Sequence, residues 1–381
     1  MSIEKLRSEI DATDAQLVAL LAKRMSLAVE IGRVKSETGQ KVADPVREAE
    51  VLGRIRGLAR QDGLDEGIAE AVFRHLIKLS CDVQEVQSTP SGETVVGSQQ
   101  AGGAGARIAI VGGAGKMGRW IARHLTAAGR QVVILDRDEM GLGEVKRLIG
   151  VEATTNPGII TEVDVLVLAV PVLGFEEVLQ LLAPFTRPGQ IVFDITSVKT
   201  VPVSLMHQYL PHCTILGTHP MFGPGADGVR GHNVALTPTN ASEKALADHL
   251  GAILTGYGAN VVQMTPAEHD ELIAVVLGLA HFIALVTGDA LLSLGNLAQV
   301  LSVSGTTFRA LFAVVEGVLR EDPALYGAIQ MGLPALPGLE RRFIAAAETW
   351  ADLVAKGDAS GFRGKMTELR RQLDAQLQMP V

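Results

Sequence analysis

The sequence predicts a multidomain protein of α and α/β parts: an all-helical module first, an α/β domain next and a helical domain last. Three observations predict it. An apolar stripe of helical period runs through residues 2–36, with no proline before Pro45. A strand, a glycine turn, a helix and a second strand follow one another over residues 107–138. From Pro266 onward the chain reads as one helix after another. A length of 381 residues exceeds a comfortable single core and suits two or three domains.

In the first module, residues 1–87, the stripe is Ile3, Leu6, Ile10, Leu17, Leu20, Leu27, Ile31 and Val34. At 1.5 Å per residue such a helix is on the order of 50 Å long. That is too long to fold against a small domain of its own, so it is expected to cross a partner chain. Asp44 and Pro45 read as an N-cap and first helical residue of a second helix to about Ala59, and Asp65–Gln84 gives a third. The polar residues say more than the stripe. Arg24 and Lys35 are close to three whole turns apart and project from one face; Asp44, Arg47 and Glu48 share the start of the second helix; Ser80 and Gln84 form an i,i+4 pair. Three helices can therefore present one polar pocket. Arg7 lies a rise of roughly 25 Å before Arg24, and is expected to serve another site, most simply on a partner protomer.

Residues 88–106, rich in Ser, Gly and Gln without apolar period, read as a flexible linker. The domain that follows is expected over 107–265. Arg107–Val111 is a short apolar run, after which Gly113, Gly115 and Gly118, with Lys116 and Met117 between them, fit G-x-G-x-x-G. Such glycines allow a tight turn, close approach of backbone to a pyrophosphate and packing of helix on strand, and the helix N-terminus turns its free N–H groups toward that phosphate. Trp120, Ile121, His124, Leu125 and Ala128 follow at helical spacing. Gln131–Leu135 is a second strand ending in Asp136, where an acid holds a ribose hydroxyl. Strand, turn, helix, strand and acid together predict a Rossmann-type domain that binds NAD. Arg137 beside the acid leaves open how strongly NAD is preferred over its 2′-phosphate.

Asp164–Val170, Gln190–Ile195 and Ile215–Gly217 are further strands, with a helix at Gly174–Leu182. Ligands bind at the polar loops beyond such strands. Two loops stand out: DITSVKT, with Ser197 and Lys199, and GTHPMFGPG, with His219 at a strand's C-terminal end, a fitting place for a catalytic base.

The helical tail, residues 266–381, contains the most apolar stretch of the chain, Leu272–Gly288, which holds His281 and is followed by Asp289. Its length, about 17 residues, is at the lower limit for a membrane span, and a buried dimer-interface helix is the expectation. Further helices are expected at 307–320, 340–356 and 361–378, the kind of array that interlocks subunits into a homodimer. A net charge of −8 and a pI near 5.6, with no long basic run, argue against nucleic acid as a partner. Cys81 and Cys213 lack metal-ligand spacing, no metal is expected, and a charged N-terminus points to the cytoplasm.

Residues 1–87 resemble the all-helical chorismate mutases at Arg7, Arg24, Lys35, Asp44, Arg47, Glu48, Ser80 and Gln84. The resemblance implies that arginines clamp the two carboxylates of chorismate, Arg7 reaching across a dimer, that Lys35 and Gln84 face the ether oxygen, and that Glu48 takes the ring hydroxyl. Residues 107–381 resemble prephenate dehydrogenases through VGGAGKMG, DITSVK, GTHPMFGP, and EHD followed by His281, twelve residues after His269. That resemblance implies that His219 accepts the hydrogen bond of prephenate's ring hydroxyl, that Ser197 helps fix both, and that His269 and His281 line the site. Members of that family carry a carboxylate-binding arginine six residues before the proline of a DP motif. Here the motif is Asp322-Pro323 and the matching residue is Gly317, so Arg320, or less directly Arg309, is expected to replace it. The same residues leave room for an amino analogue of prephenate as substrate, for feedback by tyrosine, and for an NAD-responsive regulatory dimer with an inert dehydrogenase half.

Overall fold

In the computed structural model the described residues are 2–38, 45–88 and 105–377. They fall into two compact units, Met1–Gly97 and Ser98–Val381. The first is three helices: α1 (Ile3–Thr38), α2 (Pro45–Gln61) and α3 (Glu66–Ser88). Its interior is small, built on Ala28, Leu52, Ala59 and Ala69. The apolar stripe of α1 stays open: Ile3, Leu6, Ile10, Leu17, Leu20, Leu27, Ile31 and Val34 are all exposed.

The second unit is built on one eight-stranded sheet of order β3-β2-β1-β4-β5-β6-β7-β8. The strands are β1 (Arg107–Val111), β2 (Gln131–Leu135), β3 (Glu152–Thr154), β4 (Val165–Leu168), β5 (Ile191–Asp194), β6 (Thr214–Pro220), β7 (Asn233–Thr237) and β8 (Asn260–Gln263). From β3 to β6 neighbouring strands are parallel; β7 runs antiparallel to β6 and parallel to β8. Helices α4 (Lys116–Ala127), α5 (Glu139–Ile149), α6 (Phe175–Leu182), α7 (Thr200–Tyr209) and α8 (Ala241–Gly256) connect them. The central strands are buried on both faces, which is why they read as unbroken apolar runs. Ala109, Leu166, Val192, Ile215 and Met206 pack in one layer; Ile110, Ile134, Ala122 and Val145 pack in another. Strand order reverses between β1 and β4, so the crevice for a ligand lies beyond their C-terminal ends.

The helical part begins with α9 (Pro266–Ile273), fixed at its start by a capping box: Thr265 Oγ1 accepts from the Glu268 N–H at 3.2 Å, and the Glu268 carboxylate accepts from the Thr265 N–H at 2.8 Å. A six-residue π-helical segment, Ala274–Leu279, joins it to α10 (Ala280–Ser293). Then come α11 (Leu297–Ser302), α12 (Thr306–Leu319), α13 (Pro323–Gly332), α14 (Leu336–Ala355) and α15 (Ala359–Leu377). Asp322 caps α13, its side chain accepting the Ala324 N–H at 2.9 Å, with Pro323 in the first turn; that accounts for the DP pair.

The segment Pro266–Ser293 is long and apolar enough, by length and composition, to cross a membrane. Within a single chain the segment Leu272–Gly288, expected to be buried at a dimer interface, is covered only in part. Ala284 and Gly288 are covered, and a Cβ on Gly288 would lie 3.1 Å from Leu319 of α12, but Leu272, Val275, Val276, Leu285 and Val286 remain exposed.

Candidate active sites

The chain makes the nucleotide turn by close packing. Gly112, one residue ahead of the motif, has φ +76°, and a Cβ there would lie 2.5 Å from the Ala169 carbonyl oxygen. The positive φ of the turn thus falls on Gly112, a glycine outside the three of the G-x-G-x-x-G motif. Gly113 instead lies against β2, where a Cβ would come within 2.5 Å of Ile134, and Gly118 presses α4 against the turn, where a Cβ would lie 2.6 Å from the Gly112 oxygen. Gly115 is the N-cap of α4, and Lys116 and Met117 open the helix, so its free N–H groups face the space beyond β1. Asp136 stands at the end of β2 and stiffens the turn: its Oδ2 accepts from the Ala114 N–H at 2.9 Å and its Oδ1 from the Asp138 N–H at 3.1 Å. Two such bonds leave lone pairs for a ribose hydroxyl. A dinucleotide therefore fits this cradle. Gly115, Lys116, Met117, Gly118 and Asp136 would hold it.

Further along the sheet, β6 carries His219, which is buried and pairs with Ala235 of β7. Its Nδ1 lies 3.0 Å from His269 Nε2. His269, on the first turns of α9, is buried and has its Nδ1 2.8 Å from Asp270 Oδ1. The structure thus brings together two histidines that stand fifty residues apart in the chain. Burial holds the His219 imidazole well below its ordinary pKa; the neighbouring Lys199 and His269 push the same way, against Asp270.

Beneath His219 sits an ion pair that the sequence did not announce. Lys199 is fully buried; its Nζ donates to Asp194 Oδ2 at the end of β5 and to the Thr218 carbonyl at 2.7 Å. Burial pulls the Lys199 ammonium below its usual value, opposed by Asp194 and Asp270. Asp270 accepts from the Lys199 N–H at 2.7 Å and the Thr200 N–H at 2.8 Å, capping α7. Burial raises its pKa, but the hydrogen bonds from His269, Thr200 and Lys199 win and hold it below the usual carboxylate range. Ser197 is half-buried on the loop between β5 and α7, adjacent to β6. The loop after His219 is fastened to α4: Trp120 Nε1 donates to the Ala226 carbonyl at 2.6 Å, and His124 Nε2 lies 3.0 Å from the Asp227 carbonyl.

His281, on α10, stacks on Tyr326 of α13 with centroids 4.2 Å apart; burial lowers the imidazole's pKa and raises the phenol's. Arg309 and Arg320 are both exposed. Arg309 Nε donates to Ser304 at 3.1 Å, and Arg320 forms an ion pair with Glu316 at 2.6 Å. A Cβ on Gly317 would meet nothing within 4 Å, so the position is open, and Arg320 is turned to Glu316.

In the first unit, Arg24 of α1 reaches α3. Its guanidinium donates to the Leu76 carbonyl at 2.8 Å and to the Ser80 hydroxyl, and Ser80 is buried. Lys35 and Glu48 are half-buried, and Arg47 pairs with Glu50 at 2.9 Å. Arg7 is exposed. Asp44 lies outside the described residues. Gln84 is on α3, one turn beyond Ser80. Among the described residues, no group of His, Cys, Asp and Glu could hold a metal ion.

Together, the nucleotide turn and the buried histidine pair define a dinucleotide-dependent oxidoreductase, preceded by a helical unit with an arginine–serine contact at its heart. Comparison with known proteins gives the class a family. The type II chorismate mutase family matches residues 6–85, and the nucleotide-binding domain of prephenate dehydrogenase matches residues 121–263. The chorismate mutase of Methanocaldococcus jannaschii is 38% identical over 79 residues, 20% of this chain and 80% of that protein. The T-protein of Haemophilus influenzae is 29% identical over 331 residues, 87% of this chain and 81% of that one. The probable arogenate/prephenate dehydrogenase of Methanocaldococcus jannaschii is 29% identical over 273 residues, 71% of this chain, which spans 61% of that relative's length. Among solved structures, prephenate dehydrogenase from A. aeolicus, in complex with hydroxyphenyl propionate and NAD+, superposes with a TM-score of 0.60 at 21% identity. The match covers 71% of this chain and 98% of that one. The chain carries a type II chorismate mutase domain and a prephenate dehydrogenase nucleotide-binding domain on one polypeptide, which with the likeness to T-proteins supports a bifunctional chorismate mutase/prephenate dehydrogenase of tyrosine biosynthesis, an isomerase and an oxidoreductase.

Proposed function

We propose that the helical unit rearranges chorismate to prephenate, and that the α/β unit with its helical tail converts prephenate to 4-hydroxyphenylpyruvate, with NAD+ as hydride acceptor. The observation that carries the second step is His219: a neutral, buried base near the C-terminal end of β6, in the sheet that forms the nucleotide cradle. As hydride leaves the carbinol carbon for the bound nicotinamide, His219 takes the hydroxyl proton. The resulting dienone loses its ring carboxylate as carbon dioxide, the electron pair aromatises the ring, and His219 returns the proton to the phenolate oxygen. Ser197 steadies the hydroxyl, and His269 and His281 line the site.

The first step needs no nucleophile. A Claisen rearrangement proceeds when a compact conformer is held and charge on the ether oxygen is stabilised. Arg24, Arg47 and Arg7 would clamp carboxylates, with Lys35, Gln84, Ser80, Asp44 and Glu48 around the ring. The open apolar face of α1 supports a homodimer, with Arg7 acting in the partner's site. In a mixture of Arg7→Ala and Arg24→Ala chains, hybrid dimers are expected to regain part of the mutase activity that each variant lacks alone. Demonstrated heterodimers without recovery would remove the trans assignment. The protein is proposed to work in the cytoplasm, with tyrosine as a candidate feedback ligand.

The test of the whole reading is to supply the purified protein with chorismate and NAD+, follow nicotinamide reduction, and repeat with prephenate and arogenate. Reduction from chorismate requires both halves; nucleotide binding without reduction would favour the regulatory dimer. A second reading, an amino analogue of prephenate as substrate, is favoured by open space at Gly317. It predicts faster turnover of arogenate or an aminodeoxyprephenate. For the first reading, Arg320 must leave Glu316 for a substrate carboxylate, which costs little because an exposed i,i+4 pair contributes about 0.3–0.5 kcal/mol. Arg320→Ala is expected to raise KM for prephenate at least about tenfold, roughly 1.4 kcal/mol of binding, at unchanged mutase rate. If that KM stays put while Arg309→Ala raises it, the role passes to Arg309.

A further inference from the structure

The contacts around His219 specify where its single proton sits. Asp270, held as a carboxylate by the Lys199 and Thr200 N–H groups that its two oxygens accept, presents only lone pairs to His269 Nδ1 at 2.8 Å, so that nitrogen carries the proton. With His269 neutral, its Nε2 is then a lone pair. Facing it at 3.0 Å is His219 Nδ1, which must donate. The other arrangement needs a doubly protonated His269. It would add a second buried cation to Lys199 and would put the proton of His219 on Nε2, the nitrogen not engaged by His269. The neutral arrangement leaves His219 Nε2 with an open lone pair.

We propose that Asp270 and His269 are positioning residues that fix His219 as its Nδ1–H tautomer, so that Nε2 is the atom that takes the substrate's hydroxyl proton. The proposal rests on the dehydrogenase reading above for its chemistry, though not for its geometry. Asp270 does not move with the histidines, because its two oxygens cap α7 through the Lys199 and Thr200 N–H groups. The tautomer is thereby set by a helix N-terminus, through a residue of α9, onto a strand that neither helix is continuous with. When the substrate O–H bond breaks and Nε2–H forms, the imidazolium keeps donating from Nδ1 to His269 Nε2, while the proton of His269 stays on its Nδ1, donated to the Asp270 carboxylate. The positive charge thus faces a hydrogen-bonded path to Asp270 at every stage of proton uptake and return.

The test uses the full-length protein labelled with 15N-histidine, with the spectrum of a His219→Asn variant assigning the resonances. Two-bond 1H–15N couplings report which ring nitrogen is protonated. In the wild type, His219 is expected as Nδ1–H. Asp270→Asn, whose amide N–H can face His269 Nδ1, is expected to reverse the chain of donors and give Nε2–H. His269→Gln leaves the α7 cap in place. It is expected to lower dehydrogenase kcat about 10–100-fold with mutase rate unchanged, and to shift the acid limb of the kcat profile. A wild-type His219 found as Nε2–H overturns the proposal whatever the variants do, and so does a His269→Gln protein with wild-type kcat and pH profile. Failure of the wild type to reduce NAD+ with prephenate, alongside an Nδ1–H signal, overturns the dehydrogenase reading and leaves the tautomer assignment standing.

Discussion

His219→Asn is expected to lower dehydrogenase kcat by roughly 10²–10⁴, the usual worth of a general base, while mutase rate and NAD binding stay as they are. Asparagine keeps a polar group near the position of Nδ1 but has no basic lone pair to accept a proton from the ring hydroxyl. The pH dependence sharpens the expectation. The base must be neutral, and burial with the nearby Lys199 and His269 holds its pKa well below the ordinary imidazole value of about 6.5. Activity therefore falls only as pH drops through that lowered value, so the acid limb of kcat/KM for the wild type should lie below about pH 6.5. The residual rate of His219→Asn should lack that limb. A near-normal kcat, or an acid limb unchanged by the substitution, would remove His219 as the base.

How much of this was readable in the chain follows from what each residue needs. The glycine turn, α4 and the buried strands carry local signals: an unbroken apolar run for a strand covered on both faces, and glycine where a Cβ would strike backbone. β1 and β2 accordingly fall where the sequence placed them. β3, β7 and β8 were not foreseen. β3 is three residues long, and β8 lies at the sheet edge with alternate residues exposed, so neither makes an apolar run. β7, as long as β1 and β2, opens on an exposed Asn and ends on Thr, so only Val234–Leu236 makes an apolar run, and it pairs antiparallel with β6. The site shows the same division. His219 and Ser197 were marked by their positions after strands, and His269 by the EHD motif alone. What joins His269 to His219 is the packing of α9 against the sheet, which no spacing within either segment encodes. Asp270 and Asp194 were missed for the same reason, although an acid closing an apolar strand, as in IVFD, is a signal that a buried partner must exist.

Lys199→Met should produce the largest loss of stability of any single substitution in the α/β unit. The Lys199 and Asp194 side chains are both fully buried, and the ammonium is shared between a carboxylate and the Thr218 carbonyl next to His219. Methionine fills much the same volume but leaves Asp194 as a charge without a counter-ion; its Oδ1 already has no hydrogen-bond partner. Breaking a buried pair from one side costs about 3–5 kcal/mol, whereas replacing both members by apolar groups is often close to neutral. For a domain of this size, each kcal/mol shifts Tm by about 2–4 °C, so the dehydrogenase transition should fall by roughly 6–20 °C. The double change Asp194→Leu, Lys199→Met should recover more than half of that loss, the remainder reflecting Thr196 and Thr218, which lose a polar partner each. Thermal unfolding followed by calorimetry decides it. A drop of less than about 2 °C in the single variant would show that Asp194 sheds its charge by binding a proton, and a double variant no more stable than the single one would show that the loss comes from the Thr218 carbonyl rather than from an uncompensated carboxylate.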